Sequence, residues 1–107
     1  MLKMNDKAMS TNPVIVIAKF LVKPKERAFV KKASLELVTM TRKEEGCLSY
    51  DLHQDNKNPN QFLFYGNWKN YALWQKHMLT THLLDYIKNT KDAVEKVDLH
   101  EMTNLSL

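Results

Sequence analysis

The feature that most constrains the fold is a run of four apolar residues at positions 62–65, Phe-Leu-Phe-Tyr, with no polar residue among them. A strand with one face open to water alternates apolar and polar side chains, because successive side chains point to opposite faces of the sheet. The unbroken run therefore predicts a strand that is covered on both faces. Residues 14–17, Val-Ile-Val-Ile, predict a second strand of this kind.

The segment around this run predicts a strand, a turn, a strand and a helical region. Residues 47–54 and 61–68 have strand character, and residues 55–60 between them are rich in turn formers. We therefore expect a hairpin. Helical spacing of apolar residues begins after Asn70, a residue type that caps helices, and is interrupted at residues 80–81.

The rest of the chain predicts two further strands and one more helix. The first strand is residues 14–22 and the final strand is residues 94–103, and an amphipathic helix runs from residue 24 to about residue 45. Gly46 is expected to end that helix, since glycine readily adopts the left-handed conformation after a last turn. The order β-α-β-β-α-β predicts the ferredoxin-like α+β fold, a four-stranded antiparallel sheet with its helices on one face.

Helices on one face leave the second apolar face of this sheet without a cover. A second copy of the same sheet is the simplest cover, which predicts a homodimer built as a dimeric α+β barrel. Burial of a whole face at roughly 25 cal/mol per Å² would make the dimer close to obligatory. Residues 1–13 are polar and without a pattern, so we predict a flexible tail there and a single domain over residues 14–107.

Composition narrows the possible functions. The net charge is +4, but the basic residues are spread along the chain, so no nucleic-acid partner is expected. The two glycines exclude a glycine-rich nucleotide loop. A single cysteine permits no internal disulfide, and neither a membrane span nor a secretory signal is visible in the sequence, which favours a cytoplasmic protein with no membrane partner.

Four motifs occur in order along the chain. They are residues 45–52 (Glu-Gly-Cys-Leu-Ser-Tyr-Asp-Leu), Phe64-Tyr65-x-x-Trp68, Ala72-Leu73-x-x-x-His77 and Thr81-His82. Together they resemble the antibiotic biosynthesis monooxygenase family, over residue 14 to about residue 105. The resemblance implies a dimeric barrel that oxidises a small quinol or phenol with dioxygen and needs no cofactor. The family also includes haem-degrading enzymes and an isomerase of a phosphorylated signal-breakdown product.

The chain departs from the family pattern in places. Relatives commonly carry Glu two residues before the tryptophan, where this chain has Gly66, and the smaller residue is expected to enlarge the cavity. The Asn, Trp and His of haem-degrading relatives align with Ala18, His77 and Ile87, so haem degradation is not indicated. Because that tryptophan lines the pocket, the alignment implies that His77 faces the cavity.

The resemblance suggests a set of site residues. His77 is the predicted catalytic base, because an unperturbed imidazole pKa near 6.5 suits removal of a phenolic proton at neutral pH. The predicted substrate-binding residues are Trp68, Phe64, Gly66, His82 and Asp51. The sequence does not say which sheet face borders the cavity, since Asp51 shares its face with Cys47 under strict alternation, opposite Tyr50.

Each of these residues also has a purely structural interpretation. His77 could be a helix histidine held by an ordinary hydrogen bond, and Trp68 and Phe64 could be core residues. No metal site is predicted, because His77 and His82 are five residues apart rather than the four that bring two ligands onto one helix face. Two other functions stay open: an isomerase or other non-oxidative enzyme acting on a small polar metabolite, and a non-catalytic dimeric module that binds an apolar ligand.

Overall fold

The four predicted strands form one antiparallel sheet. The computed structural model, which describes residues 11–106, contains β1 (Val14–Val22), β2 (Cys47–Gln54), β3 (Gln61–Trp68) and β4 (Val94–Met102). Their order across the sheet is β2-β3-β1-β4, and each neighbouring pair is antiparallel. The ferredoxin-like α+β fold is thus confirmed. Most of the predicted tail lies outside the described residues.

The described helices are shorter than the sequence pattern suggests. A 3₁₀ turn, Pro24–Glu26, precedes α1 (Arg27–Thr41), so α1 begins later and ends earlier than predicted. The region after Asn70 divides into α2 (Tyr71–His77) and α3 (Thr81–Thr90). Of the helices in residues 11–106, none combines the length and the apolar character that a membrane crossing requires.

Two side-chain caps determine how α2 and α3 are joined. Asn70 accepts a hydrogen bond from the backbone N–H of Leu73 at 2.9 Å, which starts α2 as predicted. The Thr80 hydroxyl donates to the carbonyl of His77 at 2.8 Å and accepts from the N–H of Leu83 at 3.4 Å. Thr80 therefore closes one helix and opens the next, so His77 and His82 belong to different helices.

The sheet face turned toward the helices, called the inner face, carries the core. Stacked aromatic rings cross it: the ring centroids are 5.6 Å apart for Phe20 and Phe62, 5.3 Å for Phe20 and Phe64, and 5.2 Å for Tyr50 and Phe64. Trp68 is buried at the end of the same face. Helix residues Val30, Leu37, Val38, Trp74 and Leu83 complete this cluster.

The opposite sheet face, called the outer face, is apolar at its centre. Ile15 is buried, Ile17, Leu63 and Tyr65 are half-buried, and none of them belongs to the cluster under the helices. The uninterrupted run at residues 62–65 thus reflects two apolar faces, only one of which the described helices cover.

A β-bulge changes the alternation at the start of β2. The pairing with β3 shifts register between Cys47 and Ser49, and Leu48 is 58% exposed. Cys47 packs against the core, opposite Trp68. Its placement with Asp51 under strict alternation is wrong, because the bulge adds one residue to β2.

Gly46 occupies a position that tolerates no side chain. Its φ is 84°, and a Cβ atom would lie 2.5 Å from Cδ1 of Leu73.

We expect Gly46→Ala to lower the free energy of unfolding by about 2 kcal/mol or more, because left-handed strain adds to this clash. Urea denaturation at fixed protein concentration measures the change. Lys43→Ala, an exposed substitution in the same turn, is the control and should stay within about 0.5 kcal/mol; equal values for both variants would contradict the prediction.

Candidate active site

A cavity of about 370 Å³ lies between the inner face of the sheet and helices α2 and α3. Its volume is within the range of small-molecule pockets. The inner face is therefore the one that borders the cavity, a choice that strand parity alone left open. The walls are mainly apolar, and the aromatic members are Phe20, Tyr50, Phe64, Trp68, Trp74 and Tyr86.

The cavity opens along β4, the edge strand. Val97 and Leu99 point to the inner face, because they pair with Phe20 and Ala18, yet they are 62% and 47% exposed. Together with Ile87 of α3 they line the opening. A molecule can therefore enter over β4 without any movement of the core.

His77 is the buried polar residue of the wall with a ring nitrogen available to a ligand. Its Nδ1 lies 2.8 Å from Oε2 of Glu44, and its side chain is only 4% exposed. A carboxylate only accepts, so Nδ1 carries the hydrogen, and in the neutral ring Nε2 holds the lone pair. Among the described residues Nε2 has no hydrogen-bond partner. The side chain is thus held as a base with its accepting atom free.

Burial also determines the charge of His77. Desolvation lowers the pKa of this imidazole below its ordinary value, while the hydrogen bond and negative charge of Glu44 act in the opposite direction and His82 lowers it further. His77 is therefore neutral at neutral pH. A histidine that is neutral, oriented and adjacent to an apolar cavity is able to accept a proton from a bound molecule.

The ring of His77 is enclosed by aromatic side chains. Its centroid lies 4.6 Å from that of Trp68 and 5.7 Å from that of Tyr50. Burial raises the pKa of the Tyr50 phenol, so this hydroxyl stays protonated. The hydroxyl has no hydrogen-bond partner among the described residues, and Tyr50 is one of the residues that line the cavity. Tyr50 is thus both a core residue and a cavity-lining residue with an unpaired hydroxyl among the described residues.

His82 lies behind the cavity wall and outside it. Its Nε2 is 2.6 Å from Oε2 of Glu44, the same oxygen that His77 binds, and its side chain is 23% exposed. It lines a separate surface groove between α1 and α3. The structure therefore connects His82 to the site through Glu44, whereas the sequence had suggested direct contact with the substrate.

Glu44, His77 and His82 have the atom types of a metal site. Their three candidate ligand atoms lie within 4.8 Å of one another. Ligands of a four-coordinate zinc ion, however, are separated by roughly 3.3 Å, and here both nitrogens approach the carboxylate oxygen to 2.8 and 2.6 Å. In this arrangement the three groups form a hydrogen-bonded cluster with N–H hydrogens between the atoms.

The remaining predicted residues are divided between the two faces of the sheet. Trp68 and Phe64 line the cavity. Gly66 lies on the same face, but a Cβ there would be 2.9 Å from Nε1 of Trp68 and 3.1 Å from Tyr50. The glycine therefore makes room for these two rings and does not enlarge the cavity, contrary to the expectation. Asp51 lies on the outer face, opposite Tyr65 in register and away from the cavity.

Asp51 has a structural role on that face. Its carboxylate forms an ion pair with Arg42 at 2.7 Å, and Arg42 also donates to the carbonyl of Tyr50 at 2.9 Å. These contacts join the turn after α1 to β2 and so position Glu44. Glu44 is the site residue that the sequence did not suggest. The available signal was an acidic residue two positions before Gly46, together with the capping threonine that separates the two histidines.

Comparison with known proteins identifies the family of the chain. The model of the family described as antibiotic biosynthesis monooxygenase matches residues 13–89. The putative monooxygenase Rv0793 of Mycobacterium tuberculosis is 30% identical over 76 residues, which are 71% of this chain and 74% of that protein. The uncharacterized protein sll1783 of Synechocystis is 28% identical over 85 residues, 79% of this chain, and the chain spans only 58% of its length.

Solved structures share the fold over nearly the whole chain. PA3566 from Pseudomonas aeruginosa superimposes with a TM-score of 0.84 at 30% identity, covering 92% of this chain and 98% of that one. The structure of Rv0793 gives a TM-score of 0.84 at 25% identity, with 90% and 98% coverage. The family model matches well over half of the present chain, so the chain belongs to the antibiotic biosynthesis monooxygenase family.

Proposed function

We propose that the protein is a cofactor-independent monooxygenase that acts on a small phenol or hydroquinone. The observation that carries this proposal is His77, a neutral histidine whose Nδ1 is bound to Glu44 and whose Nε2 is free beside an aromatic-walled cavity. Membership of the family and a relative named as a putative monooxygenase support the reaction type.

The cavity wall favours an aromatic substrate with an ionisable hydroxyl. Aromatic rings pack well against Trp68, Phe64 and Tyr50, which line one side. Among the described residues of the cavity wall, His77 and Tyr50 are two buried polar side chains with an atom that makes no hydrogen bond, Nε2 and the phenol hydroxyl, so an uncharged molecule with one or two hydroxyls has a partner for each. The charged residues of the lining, Lys91, Glu95 and Lys96, are exposed, so a highly charged metabolite would lose its hydration in the buried, apolar part of the cavity.

The reaction starts with a proton transfer. Nε2 of His77 takes the proton of the substrate hydroxyl, and the imidazolium that forms is paired with the Glu44 carboxylate. The resulting phenolate transfers one electron to dioxygen, which gives a phenoxyl radical and superoxide. Radical combination at a ring carbon forms a C–O bond and a peroxide anion. The Tyr50 hydroxyl is available to donate a hydrogen bond to the oxygen that carries charge.

The second half of the reaction returns the proton. His77 protonates the peroxide, the O–O bond breaks, and water leaves with the hydrogen of the attacked ring carbon. One atom of dioxygen is then in the organic product and the other is in water, so a hydroquinone becomes a hydroxyquinone. The Glu44–His77 pair ends the cycle in its starting state.

We further propose that the outer face of the sheet forms a homodimer. Ile17, Leu63 and Tyr65 give this face an apolar centre, and the described helices all lie on the other side. A two-fold axis would bring the same apolar patch of two chains together. Burial of the patch would also fix the sheet on which the cavity is built.

The monooxygenase proposal predicts catalysed oxygen uptake. With a test hydroquinone, uptake should exceed the spontaneous rate, and His77→Ala should lower the catalysed rate by about 100-fold or more, because a positioned base is removed. Lys76→Ala, an exposed neighbour on the same helix, is the matched control and should keep the wild-type rate.

Isotope incorporation separates monooxygenation from simple oxidation. With ¹⁸O₂, the product should contain one labelled oxygen atom. A product with no label and an equivalent amount of hydrogen peroxide would contradict the proposal, as would equal uptake by wild type and His77→Ala. Conversion of substrate without oxygen would favour the isomerase alternative.

The pH profile provides a second test of His77 as the base. The base must be neutral to act, so kcat/KM should fall as the pH decreases, with a midpoint below the ordinary histidine value of about 6.5 because burial lowers the pKa. Glu44→Gln removes the group that raises this pKa, so the acid limb should move to lower pH and the plateau rate should fall. Lys76→Gln is the control, and a wild-type midpoint above neutrality would contradict the assignment.

The dimer proposal is tested by sedimentation velocity at micromolar concentration. The wild-type protein should sediment as a dimer, and Leu63→Glu should sediment as a monomer because it places a charge at the centre of the outer face. Leu35→Glu changes an equally apolar side chain that is 51% exposed on α1 and should leave the dimer intact. A wild-type monomer, or dissociation by both variants, would contradict this interface.

A further inference from the structure

One carboxylate oxygen connects the cavity base to a histidine on the protein surface. Oε2 of Glu44 is 2.8 Å from Nδ1 of His77 and 2.6 Å from Nε2 of His82. Exposure of the side chains rises along this path, from 4% at His77 to 13% at Glu44 and 23% at His82. The cluster thus extends from the buried site to a partly exposed residue.

A single carboxylate in this position is able to neutralise one imidazolium but not two. Both rings donate to Glu44 when they are neutral, because the carboxylate has no hydrogen of its own. Once His82 binds a proton, its positive charge offsets the negative charge of Glu44. The two histidine rings are 6.4 Å apart at their centroids and only partly hydrated, so screening by water is weak. Protonation of one ring therefore opposes protonation of the other.

We propose that His82 is a positioning residue that tunes the cavity base from the solvent side: through the shared Glu44 oxygen it holds the carboxylate in place, and when it is protonated it makes His77 a weaker base. This role of His82 depends only on Glu44 and His77, so it does not depend on which molecule the cavity binds. In the proposed reaction it would couple proton removal in the cavity to the pH of the surrounding solution.

The neighbouring titratable groups are compatible with this role. On the sheet side Cys47 and Tyr50 of β2 are near the cluster, and burial raises the pKa of both, so both stay neutral around pH 7. On the helix side Glu36 of α1 and Asp85 of α3 line the same groove as His82. These two carboxylates belong to the surface groove and lie outside the hydrogen-bonded cluster of Glu44, His77 and His82. For His77, Glu44 is the carboxylate that raises the pKa, and His82 contributes to lowering it.

Side-chain ¹⁵N–¹H spectra of histidine, recorded over a pH titration, test the proposal without any substrate. In the wild type, His77 should show the tautomer with hydrogen on Nδ1. In His82→Gln, whose amide is still able to donate to Glu44 but carries no charge, the pKa of His77 should rise while the tautomer is kept. Lys76→Gln removes a positive charge from the residue next to His77, outside the cluster, and should cause a smaller change.

A double-mutant cycle tests whether the effect passes through Glu44. In a Glu44→Gln background, His82→Gln should no longer raise the pKa of His77, and the Nδ1–H tautomer should lose its preference. An unchanged His77 titration in His82→Gln would overturn the proposal, as would the same rise in both backgrounds. Stoichiometric binding of Zn²⁺ by the wild type, with loss of both N–H signals, would also overturn it in favour of a coordination site.

The acid limb of the pH profile of oxygen uptake, where the rate falls as the pH decreases, gives an independent readout. It should move to higher pH in His82→Gln, in step with the pKa of His77, and an acid limb that stays in place while that pKa rises would overturn the role of His82 in tuning the base. If no variant and no wild-type protein consumes oxygen, the monooxygenase proposal fails while the spectra still decide the role of His82. Well-dispersed backbone amide spectra of each variant establish that it is folded.

Discussion

The structure depends on how three short helices cover one aromatic sheet face. Phe20, Phe62, Phe64 and Trp68 form a continuous apolar surface, and burying it supplies much of the driving force for folding. The helices pack over β2, β3 and β1 but leave the inner side of β4 exposed. The cavity is the space that this incomplete cover leaves, so the element that stabilises the fold and the wall of the site are the same set of side chains.

A charge placed at the edge of such a cavity needs partners. Glu44 is largely buried, and its carboxylate is stabilised by N–H groups of His77 and His82. In return it fixes the tautomer of His77 and leaves Nε2 free. Burial and the carboxylate act on this imidazole in opposite directions, with burial the larger. The imidazole of His77 is therefore oriented by a charged partner but is itself uncharged at neutral pH. Both properties suit proton removal in an apolar site.

The fold could be predicted from local patterns because each signal concerns residues close in sequence. Gly46 ends a turn at positive φ, Asn70 caps α2, and the apolar run at residues 62–65 lies in a strand with two apolar faces. Strict alternation failed at Cys47, where a bulge adds a residue to β2. Bulges depend on pairing with another strand, so they leave little trace in a single sequence.

The site was predicted only in part for the same reason. The sequence by itself determined the order of the elements, the aromatic character of β3 and the presence of a histidine in α2. The tertiary structure decided which sheet face borders the cavity, and it brought Glu44 to His77 and His82 across separations of 33 and 38 residues. A spacing of five residues argues against a shared site within one helix, but the Thr80 cap divides that helix. Convergence of distant side chains follows from packing, which no local pattern encodes.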